Sequence, residues 1–136
     1  MPIEQDDIIQ SILTESKVVA VVGASPKLYR DSNSISRFLE AEGYTVYRVN
    51  PQYDTIDGKP CYKDLASVPE RIDIVDVFRR SDAVPDIVEE AIAAGAGTIW
   101  LQFGVVHEDA AARAEEAGLR VVMDHCIAVD HRRLVA

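Results

Sequence analysis

The residues best suited to chemistry are Gly23, Ala24 and Ser25, which follow directly on the run Val18-Val19-Ala20-Val21-Val22 and precede a polar stretch carrying Lys27, Tyr29 and Arg30. A continuous β-branched run reads as a strand of a buried parallel sheet, and a glycine at its carboxyl end lets the backbone come close to a ligand. The helix predicted to follow, with Ser34 in its first turn, presents N–H groups that have no intrahelical partner. Strand, loop and helix start together suit a phosphorylated small molecule. Arg79 and Arg80, which follow another apolar run, add cations that grip phosphate oxygens through paired hydrogen bonds, and Arg48 and Lys59 are further candidates for the same rim.

The loop is not a dinucleotide fingerprint. That pattern needs three glycines as G-x-G-x-x-G and an acidic residue after the second strand for the ribose hydroxyls, whereas here only Gly23 is present and Asn50-Pro51 occupies the second position. No Gly-Lys-Ser/Thr follows either, so triphosphate hydrolysis has no support. The loop from Ser25 to Ser32 is longer than a tight dinucleotide turn, which suits a larger and more highly phosphorylated ligand.

Catalytic constellations are sparse. Asp124 and Cys126 stand two apart at the end of an apolar run, so extended geometry predicts that they share a face and that His125 takes the other. A nucleophilic thiol needs a base or a depressed pKa, and a neighbouring carboxylate acts in the opposite direction, so Cys126 reads as structural. Cys61 lies far from it, without C-x-x-C spacing, and neither a disulfide framework nor a zinc site is indicated. His107 reads as a helix-start residue, Trp100 as core, and Gln102 and Gly104 as the wall of a crevice.

The elements that must position these groups alternate along the chain. An amphipathic helix with Ile8, Ile9, Ile12 and Leu13 on one stripe comes first, and it is expected to pack on the sheet as a lid or brace. Strands are predicted at 18–22, 45–49, 59–62, 72–78, 98–101 and 120–123, and the polar stretch 52–58 reads as a loop. Helices are predicted between them, one capped by Ser32 or Asn33 and ended by Gly43, one with Pro85 in its first turn, and one ended by Gly118; a final helical turn is expected within 127–134. This alternation predicts an α/β fold, a doubly wound, Rossmann-like parallel sheet of strand order 3-2-1-4-5-6 with helices on both faces. Its ligand crevice opens where the order reverses, which sets Gly23-Ala24-Ser25 beside Phe78-Arg79-Arg80.

The 136 residues suffice for one core, so a single domain over 1–136 is expected. The net charge of −9 argues against nucleic acid, which needs a basic footprint. No apolar stretch approaches the roughly 20 residues that cross a bilayer, and Glu4, Asp6 and Asp7 are the wrong charge for a targeting peptide, so a cytoplasmic location without membrane contact is expected. A protein partner or homo-oligomer stays open.

An ordered set of short motifs now carries a resemblance: Val21-Val22-Gly23-Ala24-Ser25, Val49-Asn50-Pro51, Tyr62-Lys63-Asp64-Leu65, Asp73 through Arg79, Trp100-Leu101-Gln102, Gly104-Val105 and Asp124-His125-Cys126. Together they span nearly the whole chain, which resembles the small stand-alone CoA-binding proteins and the amino-terminal CoA-binding domain of the succinyl-CoA synthetase α subunit. The resemblance implies that Gly23, Ala24, Ser25 and the following helix end hold the CoA diphosphate, and that Asn50-Pro51 and Phe78-Arg79 border the adenosine. The chain departs from that family at His125, where an arginine is common. The implied function is non-catalytic binding of CoA or acyl-CoA, as a carrier, sensor or ligase accessory module. An NAD(P)-binding oxidoreductase fragment and a nucleotide-sensing interaction protein are the alternatives. A mixed disulfide between Cys126 and the CoA thiol is a minority expectation.

Overall fold

β-Branched runs separated by glycine- and proline-marked breaks become strands, and amphipathic runs between them become helices, in the computed structural model, which describes residues 1–135. In chain order the elements are α1 (Asp6–Glu15), β1 (Val18–Val22), α2 (Asp31–Ala41), β2 (Thr45–Val49), β3 (Thr55–Ile56), β4 (Lys59–Tyr62), β5 (Ile74–Val77), α3 (Val84–Ala93), β6 (Thr98–Leu101), α4 (Glu108–Glu116), β7 (Arg120–Met123) and α5 (Ile127–Leu134). They build one sheet of order β3-β4-β2-β1-β5-β6-β7. Every pair is parallel except β3–β4. The six expected strands thus take the expected order.

The seventh strand, β3, lies in the stretch read as a loop. Asp57 and Gly58 join it to β4 with φ of 54° and 76°, the left-handed pair of a two-residue hairpin turn. Proline is tolerated at Pro60 because β4 lies near the sheet edge.

Alternation along β1 sends Ala20 and Val22 to one layer and Val19 and Val21 to the other. The first layer contains Val84, Ile87, Val88 and Ala91 of α3 with Ala110, Ala111 and Ala114 of α4; the second contains residues of α1, α2 and α5 around Trp100. Burial on both faces explains why β1 is apolar throughout. At its lower end the Asp73 carboxylate accepts the N–H groups of Lys17 and Val18, at 2.8 and 2.9 Å, which ties β5 to β1 before the ladder begins.

Several local expectations are corrected. β5 is shorter than 72–78, and the carboxyl-terminal segment is a two-turn helix rather than a single turn. Ile9, Ile12 and Leu13 are buried, but Ile8 is left at the surface because α1 covers the sheet with a narrower stripe. α1 serves as a brace beside α5, with Gln10 donating to the Leu134 carbonyl and Arg133 paired to Asp6. α2 begins at Asp31, with Arg30 at the cap position, so neither Ser32 nor Asn33 caps it. The Asn33 amide instead donates to the Ser25 carbonyl and the Asp57 carboxylate, both at 2.9 Å, because it is buried beneath the loop.

Among the described residues one ionisable side chain stands unpartnered in the core. Asp76 is fully buried between Val21 and Trp100 on the adjoining strands, and its carboxylate oxygens have no hydrogen-bond partner among the described residues. Burial pushes its carboxyl well above the usual carboxylate range, so the folded protein keeps a proton that the unfolded chain releases above about pH 4. The unfolded state then binds fewer protons, and stability falls as pH rises from the unfolded pKa towards the folded one. Asp76→Asn removes this dependence. Denaturant unfolding of both proteins between pH 4 and 8 should show the wild type losing up to about 1.4 kcal/mol per pH unit relative to the variant across that window; parallel profiles would show that Asp76 ionises freely in the fold.

Candidate ligand-binding cleft

The loops at the carboxyl ends of β1, β2, β5, β6 and β7 surround an open cleft of about 1300 Å³. It lies where the strand order reverses between β1 and β5, since successive connections depart to opposite faces there and leave a gap between their loops.

Gly23 occupies the floor. Its φ is +87°, and a Cβ at this position would stand 2.7 Å from the Phe78 carbonyl oxygen and 3.0 Å from Cδ of Arg79. Its N–H donates to the Val49 carbonyl at 3.0 Å, while the Phe78 N–H donates to the Val22 carbonyl at 2.9 Å, so β2, β1 and β5 end together beneath the cleft. The Asn50 side chain holds the next residue, with its amide donating to the Ala24 carbonyl and its oxygen accepting the Gln52 N–H, each at 2.9 Å. The Ser25 hydroxyl accepts the Lys27 N–H at 3.1 Å. Loop carbonyls are thereby drawn down into the protein.

Gly23, Ala24, Ser25, Lys27, Arg30, Asn50, Pro51, Phe78, Arg79, Arg80 and Gln102 all line the cleft. Lys27, Arg30, Arg79 and Arg80 are exposed, and Arg80 pairs loosely with Asp82 at 3.4 Å. Arg79 also borders a side cavity of about 120 Å³ with Pro51, Lys63 and Glu90. Gln102 is buried, and its side-chain oxygen accepts the Ile127 N–H at the start of α5, which stiffens the wall.

Ser34 and Gly104 are outside the lining. Ser34 lies on the exposed face of α2 and donates to the Asp31 carbonyl. Gly104, at φ +86°, donates its N–H to the Asp124 carboxylate at 2.6 Å and acts only as a support for that residue. Arg48 and Lys59 are also turned away. Arg48 is 2% exposed and makes two 3.0 Å hydrogen bonds to Glu40, which Lys59 shares, because the β2 side chain at that register faces the α2 layer.

The loop after β7 departs from simple alternation. Asp124 has a φ of 64°, which ends the extended geometry, and Asp124, His125 and Cys126 all reach the cleft. His125 is held between two carboxylates, with Nδ1 2.7 Å from Asp130 and Nε2 2.9 Å from Glu4. Burial works against its charged form, but the hydrogen bonds to Asp130 and Glu4 outweigh it and raise the pKa. Trp100 is buried, as expected, and its indole N–H donates to the His125 carbonyl. His107 starts α4, where its Nδ1 accepts the Ala110 N–H.

Further lining residues, among them Tyr53, Phe103, Val105 and Val129, were outside the sequence-based set. For Phe103 a topological cue existed, because loops following parallel strands gather at one edge; Tyr53 and Val129 become neighbours only through the β3–β4 hairpin and the docking of α5. Among the described residues no helix is long and apolar enough to cross a membrane.

Comparison with known proteins shows the family to which the chain belongs. An uncharacterized protein of Bacillus subtilis, YneT, is 40% identical over 123 residues, covering 90% of this chain and 91% of its own. An ADP-forming acetate–CoA ligase of Archaeoglobus fulgidus is 33% identical over 121 residues, 82% of this chain but only 18% of the ligase. The solved structure of a hypothetical protein from Pyrococcus horikoshii superposes with a TM-score of 0.95 at 39% identity and covers 100% of this chain and 97% of that one. Residues 17–132 match the CoA binding domain family, and the glycine floor, the cationic loops and the strand reversal all lie within that span, so the chain belongs to this family and is homologous to the CoA-binding amino-terminal domain of the ADP-forming acetyl-CoA synthetases.

Proposed function

We propose that the chain binds CoA or an acyl-CoA in this cleft and performs no acyl-transfer chemistry itself. The observation that carries the reading is the pairing of the Gly23 floor with the exposed cations Lys27, Arg30, Arg79 and Arg80, while no carboxylate stands where a dinucleotide site holds its ribose. Asn50 fills that place, and its amide is committed to the loop. CoA carries a phosphate on its ribose, which a carboxylate there would repel and Arg79 would attract. The family and the ligase homologue support the same ligand, although the region shared with the ligase is under a fifth of that enzyme.

The absence of catalysis rests on the fate of the two groups nearest to it. Cys126 lines the cleft, but both ring nitrogens of the adjacent His125 are engaged by Asp130 and Glu4, so that imidazole is not free to serve as a base. On this reading the chain serves as a carrier, a sensor or an accessory module of a ligase, in a cytoplasmic setting.

Calorimetric titration with CoA, NAD and ATP tests the ligand class: CoA should bind, and NAD binding without CoA binding would overturn the proposal. Arg79→Ala should weaken CoA by about 1–3 kcal/mol, the range for losing a charge-assisted contact, and weaken dephospho-CoA less. Equal losses would move Arg79 from the ribose phosphate to the diphosphate. Gly23→Val, whose Cβ would collide with a backbone carbonyl, should abolish CoA binding; circular dichroism establishes that the variant is folded, and unchanged affinity would remove the loop from the site.

A further inference from the structure

The two ends of the cleft differ in chemistry. The exposed cations Lys27, Arg30, Arg79 and Arg80 all come from the loops after β1 and β5. The loops after β6 and β7 contribute Phe103, Val105 and Cys126, joined by Val129 from α5. Phe103 is 78% exposed and Val129 53% exposed, so two apolar side chains stand in water at a place the fold could have made polar without disturbing its core. Three strand spacings separate β1 from β7, about 14 Å. A ligand anchored by its phosphates over β1 and β5 must lay an extended arm over β6 to reach this end.

Charge adds a second distinction. Asp124 is exposed beside Phe103, with one carboxylate oxygen accepting the Gly104 N–H. Glu4 from the amino-terminal segment and Asp130 from α5 enclose His125, and Asp6 of α1 with Arg133 of α5 continues the network outward. Acids outnumber bases here even when His125 is protonated, and neither His125 nor Arg133 is free to meet an incoming anion.

We propose that the β6–β7 end of the cleft is an acyl-group subsite that accepts an uncharged, apolar acyl chain of an acyl-CoA and disfavours one ending in a carboxylate. This rests on the CoA reading of the cleft. Phe103 and Val129 cover the methylene groups and recover hydrophobic burial, while the carboxylate of Asp124 repels a terminal carboxylate on the acyl chain.

Butyryl-CoA and succinyl-CoA test this directly, since both carry four-carbon acyl chains and differ in a terminal methyl or carboxylate. Calorimetric titration of the full chain with these two and with CoA should give butyryl-CoA about tenfold tighter than succinyl-CoA. Phe103→Ala should weaken butyryl-CoA about fivefold and CoA by less. Asp124→Asn keeps an oxygen for the Gly104 N–H, suits a positive φ, and should strengthen succinyl-CoA about threefold. Binding of CoA with equal affinities for the two thioesters, or with a preference for succinyl-CoA, overturns the subsite and leaves the CoA reading intact. Failure of all three to bind overturns both.

Discussion

The close approach of β1 and β5 at Gly23 is the constraint on which the rest of the site depends. Three parallel strands end at one level, and the chain leaving the middle one must pass over the Phe78 carbonyl with no room for a Cβ. A positive φ at Gly23 turns the chain at that point, so the loop leans across the sheet edge and does not continue along the strand. Everything above it follows: Ala24 and Ser25 are held down by Asn50 and Asn33, Lys27 and Arg30 are carried to the rim, and Arg79 lies against the glycine. A side chain at residue 23 would push apart the two loops that carry the cations.

The same geometry separates stability from binding. Both faces of the sheet are occupied by helices, so the central strands are mostly apolar and no strand residue lines the cleft. The cleft is lined by residues just past the strand ends, where backbone direction changes and side chains meet water. The exposed cations gather over the centre of the sheet because the strand reversal leaves a gap there. Towards β7 the wall is closed by Gln102 and α5, and its surface is apolar and acidic.

Much of this was legible in the sequence where a local cause governs. Continuous apolar runs gave strand positions, glycines gave helix ends, and the alternation of elements gave strand order and the location of the crevice. Misreadings arose where one side chain had two physically reasonable uses. Arg48 looked like a rim cation, yet its register placed it under α2 against Glu40. Asn33 looked like a helix cap, yet burial made it a tie between loop and hairpin. Asp57-Gly58 marks a turn locally, but the strand before it is two residues long and too short to carry a periodic signal.

By itself, the sequence determined the parallel sheet, the glycine floor after β1 and the lack of a ribose carboxylate after β2, because each depends on residue type at a fixed distance along the chain. Tertiary structure alone decided which cations face the cleft, that Asp124 breaks the alternation so that His125 joins the wall, and that His125 is already bound by Glu4 and Asp130. The physical reason is separation along the chain. Glu4 and His125 are 121 residues apart, and only the packing of the α1 and α5 layer brings them within hydrogen-bonding distance.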